Sequence, residues 1–344
     1  MSVPTAELPS RGARPSRASR PSHPSRPSRP QPRELPAARW ALLISTNAYE
    51  DDRLARLKSP LADVRGLAAV LRNPEIGGFQ EVDVLENRPA HEVRLVVSKF
   101  LRQRKAADLC LLYFTGHGVL DAEGALYLAG CDTDKDHLAA TSIPAEYVRE
   151  RMDRCVSRSQ VLILDCCHSG AFARGGAKAS AQMSVGTAQA FRAEKRGRVV
   201  LAATDALGLA WEDERGSMFT RCLVDGLRTG EADHDGDGLV TVDELYEYTH
   251  DRIINEALPE RRQLPYRSVD GDGDIVIARS PQLLDDIAPR VVAADPAVRL
   301  GAVATLRQLA AKGQVPTHVP AEAAKKYAID DVTAAPVGET GGDS

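Results

Sequence analysis

One run of apolar residues, ending abruptly in an acid and two thiols, constrains the fold of this chain most strongly. Val161–Leu164 is followed directly by Asp165, Cys166 and Cys167, and then by a small-residue turn. A short apolar run bounded by a turn is typical of a strand buried on both faces of a sheet. Because successive side chains of a strand point to opposite faces, Asp165 and Cys167 share one face and Cys166 takes the other. The pattern therefore predicts that Cys167 is the working thiol and that Cys166 is a small core residue.

A second apolar run supplies a base for that thiol. Residues 108–114 are followed by Thr-Gly-His-Gly at 115–118. If the two runs are neighbouring parallel strands, His117 and Cys167 lie at one carboxyl-terminal edge, where open α/β sheets bind their ligands. A neutral imidazole can take the proton of the thiol, and the resulting thiolate is the nucleophile. The two motifs together predict a His117–Cys167 catalytic dyad.

These two motifs resemble those of the caspase and metacaspase cysteine peptidases, the peptidase C14 family. Thr-Gly-His-Gly precedes Asp-Cys-Cys-His-Ser-Gly by about 50 residues, a spacing typical of caspases. The second block is similar to the metacaspase form, Asp-x-Cys-x-Ser-Gly. The chain resembles the bacterial members of the family, and the resemblance extends from Trp40 to Arg279. It implies a hydrolase that cleaves peptide bonds through a thioacyl-enzyme. It also implies that the backbone amides of Gly118 and Cys167 form the oxyanion hole.

The resemblance further implies a basic residue on the amino side of the cleaved bond, the P1 position. Asp165 takes the place of a metacaspase acid that lines the S1 pocket, and Asp63 takes the place of a second acid. The segment before Asp63 departs from the metacaspase form, because Ser, Pro and Ala replace its Gly, Cys and Asn. Two carboxylates in one pocket attract a cation and repel an acid, so Arg or Lys is the expected P1 residue. Asp205 and Glu212 are further acids expected to border the cleft, and a helix-start charge is the alternative interpretation of Asp63.

An acidic stretch at 233–244 follows the EF-hand rule and predicts a Ca²⁺ site, either structural or regulatory. The expected ligands are Asp233, Asp235, Asp237, the carbonyl of Leu239, Thr241 and Glu244, with Gly238 in the turn. Calcium regulation is implied by the resemblance to metacaspases. The alternative is a loop kept by the family without tight ion binding. A second acidic turn at 270–274 lacks a closing glutamate, so no site is predicted there.

The pattern of strands and helices predicts the α/β class: a three-layer caspase-like sandwich with a mostly parallel six-stranded sheet. The predicted strands are 40–45, 81–85, 108–114, 159–165, 198–203 and 273–278, with a side strand at 125–129. Predicted helices cover 61–71, 93–101 and 144–152 within the sandwich, and 296–313 beyond it. The last of these belongs to a small C-terminal helical appendage.

Composition divides the 344 residues into segments. Residues 1–38, rich in Arg, Ser and Pro, are predicted to be a disordered tail. Residues 39–280 are the predicted peptidase domain, 281–327 the helical appendage and 328–344 a second disordered tail. The loop at 173–198 is rich in Gly, Ala and Ser and contains basic residues, so a mobile lid that the enzyme itself cleaves is one hypothesis, and an ordinary exposed loop is the other.

Charge and cysteine content exclude several classes of function. The net charge of −4 gives no reason to expect nucleic acid binding, and no apolar stretch is long enough to cross a membrane. The six cysteines lack metal-type spacing, and no signal-peptide core follows Met1, so a reducing, cytoplasmic location is expected. The expected partners are a protein substrate with a basic P1 residue, and an effector or regulatory protein bound through the N-terminal tail or the C-terminal helices.

Three functional hypotheses follow. The first is a cysteine endopeptidase that cleaves after Arg or Lys, regulated by calcium and self-processed. The second is an Asp-specific caspase-like protease, which the acids at 63 and 165 disfavour. The third is a catalytically silent, calcium-binding caspase-like scaffold, which the intact His117 and Cys167 disfavour. A zinc site built from Cys166, Cys167, His168 and His117 is unfavourable, because structural zinc sites use spaced ligands and three of these are contiguous.

Overall fold

The computed structural model describes residues 35–36, 38–168, 197–203, 216–256, 265–270, 275–312 and 314–326. In chain order its elements are β1 Ala38–Ser45, α1 Pro60–Arg72, β2 Glu81–Glu86, α2 Ala90–Arg102, β3 Asp108–Leu120, β4 Leu126–Leu128, α3 Leu138–Thr141, β5 Ile143–Pro144, α4 Ala145–Asp153, β6 Ser159–His168, β7 Arg198–Ala202, α5 Met218–Thr229, β8 Leu239–Thr241, α6 Val242–Glu256, β9 Tyr266–Asp270, β10 Val276–Arg279, α7 Gln282–Val291, α8 Pro296–Ala311 and α9 Val319–Lys326.

The main sheet runs in the order β2-β1-β3-β6-β7-β9. The first five of these strands pair in parallel, and β9 closes the row antiparallel to β7. Two short strands extend the sheet to the side, because β4 pairs antiparallel with the end of β3, and β5 with β4. The predicted α/β class and the mostly parallel, six-stranded main path are confirmed.

The sixth strand of that path is not the predicted one. Tyr266–Asp270 occupies the edge, whereas Val276–Arg279, which overlaps the predicted strand at 273–278, pairs antiparallel with Leu239–Thr241 in a separate two-stranded sheet. A short apolar run identifies a strand, but its partner depends on the path of the whole chain. The strands β3 and β6 are also longer than predicted, since each continues through its motif.

Helices cover both faces of the main sheet and make three layers. On one face, alternate strand residues pack against apolar side chains of α1, α5 and α6, including Leu43, Tyr113, Ile163, Leu67, Phe219, Leu223 and Leu245. On the other face, the intervening strand residues pack against α2 and α4, including Leu42, Leu112, Leu162, Val93, Val97, Val148 and Met152. The three-layer sandwich arises because the central strands are apolar on both faces.

The helices beyond β10 share a small core of their own. Ile287, Val291, Ala302 and Leu306 form its buried part. The helix α8 begins at Pro296, and Asp295 caps it by accepting a hydrogen bond of 2.8 Å from the amide of Ala297. Asp at the N-cap and Pro in the first turn are typical of helix starts. The helix predicted at 296–313 is confirmed over Pro296–Ala311.

Several predicted features lie outside the described residues. These are most of the N-terminal tail, nearly all of the 173–198 loop, Asp205 and Glu212, the turn at 271–274 and the C-terminal tail. The domain boundaries stay predictions. Among the described helices, none has both the length and the apolar character needed to cross a bilayer.

Candidate active site

The register of the central strands sets the two motifs side by side. His117 of β3 pairs with Cys167 of β6, and Thr115 pairs with Asp165. Both strands lie inside the sheet, and their motifs occupy the carboxyl-terminal edge, where α/β sheets bind ligands. The backbones of His117 and Cys167 are therefore direct neighbours, as the two sequence motifs predict.

His117 is held by three interactions and is only 5% exposed. Its backbone N–H donates a hydrogen bond of 2.9 Å to the hydroxyl of Tyr49, and the two rings pack with centroids 4.9 Å apart. Its Nε2 lies 2.8 Å from the carbonyl oxygen of Ala55. Because a carbonyl oxygen can only accept, Nε2 carries the proton of the neutral imidazole, and Nδ1 is the basic nitrogen.

Glycines on both sides of His117 allow close packing around it. At Gly116, where φ is +153°, a Cβ atom would lie 3.1 Å from the Thr46 carbonyl oxygen and from the Tyr49 hydroxyl oxygen. At Gly118, a Cβ atom would lie 3.3 Å from Leu126. A side chain at Gly116 would therefore press on Thr46 and Tyr49 beside the imidazole, whereas at Gly118 the end of the Leu126 side chain would have to shift slightly.

Cys166 lies in the core, as predicted. It is buried among apolar residues of the face opposite to Asp165, including Leu162 and Leu164. Burial, and then the nearby charge of Asp165, raise the pKa of the Cys166 thiol to about 12. A thiol with this pKa stays protonated at neutral pH, which makes it a poor nucleophile.

Asp63 and Asp165 converge on one serine. Both carboxylates are more than nine-tenths buried, Asp63 in the first turn of α1 and Asp165 near the end of β6. Ser217 donates its backbone N–H to Asp63 Oδ1 over 2.8 Å and its hydroxyl to Asp165 Oδ2. Thr220 donates its hydroxyl to the same oxygen of Asp165 over 2.6 Å. The Ser217 amide and the hydroxyls of Ser217 and Thr220 thus orient two acids that are far apart in the sequence.

A buried tyrosine extends this network below the acids. The Tyr113 hydroxyl lies 2.8 Å from Thr220 Oγ1, and since Thr220 donates to Asp165, Tyr113 donates to Thr220. Burial raises the pKa of Tyr113 well above its usual value, and the charges of Asp165 and Asp63 raise it further. The phenol is therefore a neutral donor in the buried network of Asp165.

The sequence patterns do not predict Ser217, Thr220 or the Ala55 carbonyl as parts of this site. Ser217 is the N-cap of α5, with its side chain accepting the Thr220 amide over 3.0 Å, and its residue type suits that position. This signal marks a helix start, but nothing local shows that the helix begins beside Asp165. Ala55 acts through its main chain, which carries no sequence signal.

The caspase domain model, Peptidase_C14, matches residues 38–270, a range that contains both motifs and both acids. The chain belongs to the peptidase C14 family. The structure is similar to the crystal structure of caspase-1 from Spodoptera frugiperda, with 14% sequence identity and a TM-score of 0.49. That likeness covers 71% of this chain and 92% of the insect one. No curated protein matches the chain.

In this caspase domain the predicted calcium-binding stretch forms a tight loop between α5 and β8. Asp233, Asp235 and Asp237 bring carboxylate oxygens within 4.8 Å of one another. Gly236 and Gly238 have φ angles of 69° and 85°, values that favour glycine, so they permit the turn. The loop therefore gathers three of the six predicted ligands.

Glu244, the predicted closing ligand, is engaged elsewhere in this loop. Its Oε2 accepts hydrogen bonds from the Thr241 hydroxyl over 2.7 Å and from the Thr241 amide over 2.9 Å. In return, the Glu244 amide donates to Thr241 Oγ1 over 3.1 Å. This reciprocal pair is a capping box that begins α6. Glu244 and Thr241 thus form hydrogen bonds with each other and stabilise the start of α6, next to the aspartate cluster.

Proposed function

We propose that this caspase domain is a cysteine endopeptidase that cleaves after Arg or Lys. The observation that carries the proposal is the convergence of Asp63 and Asp165 on Ser217. Asp165 lies on β6, the strand that also holds Cys167. Asp165 and Cys167 are two residues apart on β6, so a side chain bound by the acids would bring its own carbonyl group close to the nucleophile. The acidic pocket and the dyad then act on one substrate residue.

The chemistry follows from the positions of the dyad and its neighbours. Nδ1 of His117 accepts the thiol proton of Cys167, and the thiolate attacks the scissile carbonyl carbon. The electron pair of the carbonyl moves to its oxygen, and the amides of Gly118 and Cys167 stabilise that oxyanion. The imidazolium then protonates the leaving amine, and water hydrolyses the thioacyl-enzyme with His117 as the base. The Ala55 carbonyl accepts from Nε2–H throughout, which favours the imidazolium form.

Charge selects the P1 residue. A guanidinium or ammonium group in the pocket forms charge-assisted hydrogen bonds with Asp63 and Asp165. A P1 carboxylate would instead face two like charges in a site largely shielded from water, which costs several kcal/mol. Arg is expected to bind at least as well as Lys, because its planar fork can pair with two carboxylates.

A panel of fluorogenic peptides with P1 Arg, Lys or Asp tests this proposal. We expect turnover of the Arg and Lys peptides by the wild-type protein and none by Cys167→Ala. Turnover of the Asp peptide alone would contradict the acidic pocket. A lack of all turnover would favour the catalytically silent scaffold.

We further propose that the loop at 233–244 binds Ca²⁺. The donor set fits a hard cation, because three carboxylates converge and carboxylate oxygens are the ligands that Ca²⁺ prefers. Asp233, Asp235 and Asp237 would hold the ion. It would serve as a structural or regulatory ion, since the dyad needs no metal for its chemistry.

Ca²⁺ is expected to raise the melting temperature of the wild-type protein. An ion at 100 times its Kd stabilises the folded state by about 2.7 kcal/mol. Asp235→Asn should remove most of this shift, whereas Asp251→Asn, an exposed acid on α6 outside the loop, should keep it. Equal shifts in both variants, measured by differential scanning calorimetry with Ca²⁺ and with chelator, would rule out an ion in this loop.

Self-processing within 173–198 and regulation of the peptidase by Ca²⁺ belong to the same proposal. A basic-specific peptidase can act on Arg192, Lys195 and Arg196 of that loop in its own chain. Binding of a regulatory or effector protein through the N-terminal tail or the C-terminal helices, and a cytoplasmic location, stay predictions.

A further inference from the structure

The hydroxyl of Tyr49 is inserted into the ladder between β1 and β3. The amide of Thr46, just past the end of β1, donates to the Thr115 carbonyl oxygen over 3.0 Å. In a regular parallel ladder the next bond would run from the His117 amide to the Thr46 carbonyl. Here the His117 amide donates to the Tyr49 hydroxyl over 2.9 Å, and that hydroxyl donates to the Thr46 carbonyl over 2.7 Å. One oxygen atom therefore replaces a direct bond between the strands at the position of the general base.

The backbone around this insertion is adapted to it. Gly116 is the residue of β3 that faces Thr46, and a Cβ there would be 3.1 Å from both the Thr46 carbonyl oxygen and the Tyr49 hydroxyl oxygen. The φ angle of +153° at Gly116 is also unfavourable for residues with a side chain. Glycine before His117 thus gives the tyrosine hydroxyl its room.

The Tyr49 ring holds the imidazole as well as its backbone. The two ring centroids are 4.9 Å apart and the ring planes are tilted by 38°. The phenol hydroxyl accepts one hydrogen bond and donates another, which leaves little freedom for the ring to rotate. Tyr49 is therefore in contact with His117 at two points whose relative position is fixed.

The loop that carries Tyr49 is anchored independently of His117. The carboxylate of Asp51 accepts hydrogen bonds from the Arg53 side chain and from the Lys135 amide, and the Glu50 amide donates to the Cys131 carbonyl over 2.9 Å. The Arg53 side chain, with the backbone amides of Lys135 and Arg53, holds the pKa of Asp51 well below its usual value, so the anchor persists at neutral pH. Leu54 packs nearby in a small apolar cluster that includes Tyr49. The same loop supplies the Ala55 carbonyl to Nε2.

We propose that Tyr49 is a positioning residue for the general base. Its hydroxyl sets the distance of His117 from β1, and its ring sets the plane of the imidazole at the edge beside Cys167. This inference rests on the proposed peptidase function, since it assigns the position of the general base to a residue that contacts the imidazole. Without the hydroxyl, either β3 moves toward β1 and takes His117 with it, or an amide and a carbonyl are left unpaired.

Two variants of Tyr49 and one matched control separate positioning from stability. Tyr49→Phe keeps the ring and removes the inserted oxygen, whereas Tyr49→Leu removes both. Tyr127→Phe removes a hydroxyl from the same apolar cluster without touching the ladder at His117. With a P1 Arg peptide, well below the melting temperature of each variant, Tyr49→Phe should lower kcat about 10- to 100-fold and leave KM nearly unchanged. Tyr49→Leu should lower kcat further, and Tyr127→Phe should match the wild type.

Nitrogen NMR of the imidazole gives a readout that does not depend on turnover. In a Cys167→Ala background, His117 should appear as the Nε2–H tautomer, and Tyr49→Phe should shift or broaden its signals while Tyr127→Phe leaves them unchanged. Wild-type kcat with unaltered imidazole signals in Tyr49→Phe would overturn the positioning role. If the wild-type protein itself cleaves no peptide, the peptidase proposal fails, and unaltered NMR signals in Tyr49→Phe would still overturn this inference on their own.

Discussion

Replacement of His117 by glutamine is expected to lower kcat for a P1 Arg peptide by about 10²- to 10⁴-fold, the usual contribution of a general acid–base residue. Without the imidazole, the Cys167 thiol loses its base, and the leaving amine loses its proton donor. Glutamine is close to histidine in size and keeps a polar group near the Ala55 carbonyl. Steady-state kinetics, together with the alkylation rate of Cys167 by iodoacetamide, measure the two effects separately.

His168 provides the matched control for this prediction. It lies next to Cys167 in the sequence, is the same residue type and has no role in the proposed reaction. His168→Gln should retain kcat within about two-fold, because the change removes no group that takes or gives a proton in the proposed reaction. The double variant of His117 and Cys167 should be no slower than Cys167→Ala alone, since members of a catalytic unit are strongly non-additive. Equal losses in His117→Gln and His168→Gln would argue against the dyad.

Replacement of Asp165 by asparagine is expected to lower kcat/KM for P1 Arg peptides by about 10²- to 10³-fold. Removing one partner of a desolvated, hydrogen-bonded charge pair typically costs 2–5 kcal/mol, which corresponds to losses of about this size. Asparagine keeps the shape and an acceptor for the hydroxyls of Ser217 and Thr220, so the change removes mainly charge. The informative quantity is the ratio of kcat/KM for P1 Arg over P1 Gln, because glutamine is a neutral side chain of similar reach.

The Arg-to-Gln ratio should collapse in Asp165→Asn and stay at the wild-type value in Asp83→Asn, whose side chain is exposed on β2. Asp63→Asn should give a similar loss. The double variant should lose less than the two single losses combined, because both acids are oriented by Ser217 and coupled sites are non-additive. A wild-type ratio in Asp165→Asn would exclude the acid pair as the determinant of specificity.

The sequence by itself determined which segments form the strands that carry the motifs. It also determined which residues lie on each face of those strands. Apolar runs and the alternation of side chains are local properties, and a stretch of ten residues contains all the information needed to read them. This is why the burial of Cys166, the parallel neighbours β3 and β6, and the three-layer α/β class could be predicted. The recognition of two motifs in the right order then led to the peptidase C14 family, which the caspase domain match confirms.

The tertiary structure alone decided what surrounds those motifs. The meeting of Asp63 with Asp165 on Ser217, the Tyr49 hydroxyl within the ladder and the Ala55 carbonyl at Nε2 all join segments that are distant in the sequence. The edge position of Tyr266–Asp270 is decided in the same way, by a partner strand that local patterns do not reveal. The physical reason is that every residue has the same amide and carbonyl groups, so a main-chain contact leaves no mark in the sequence. Only the path of the chain determines which of these groups is in reach of the imidazole.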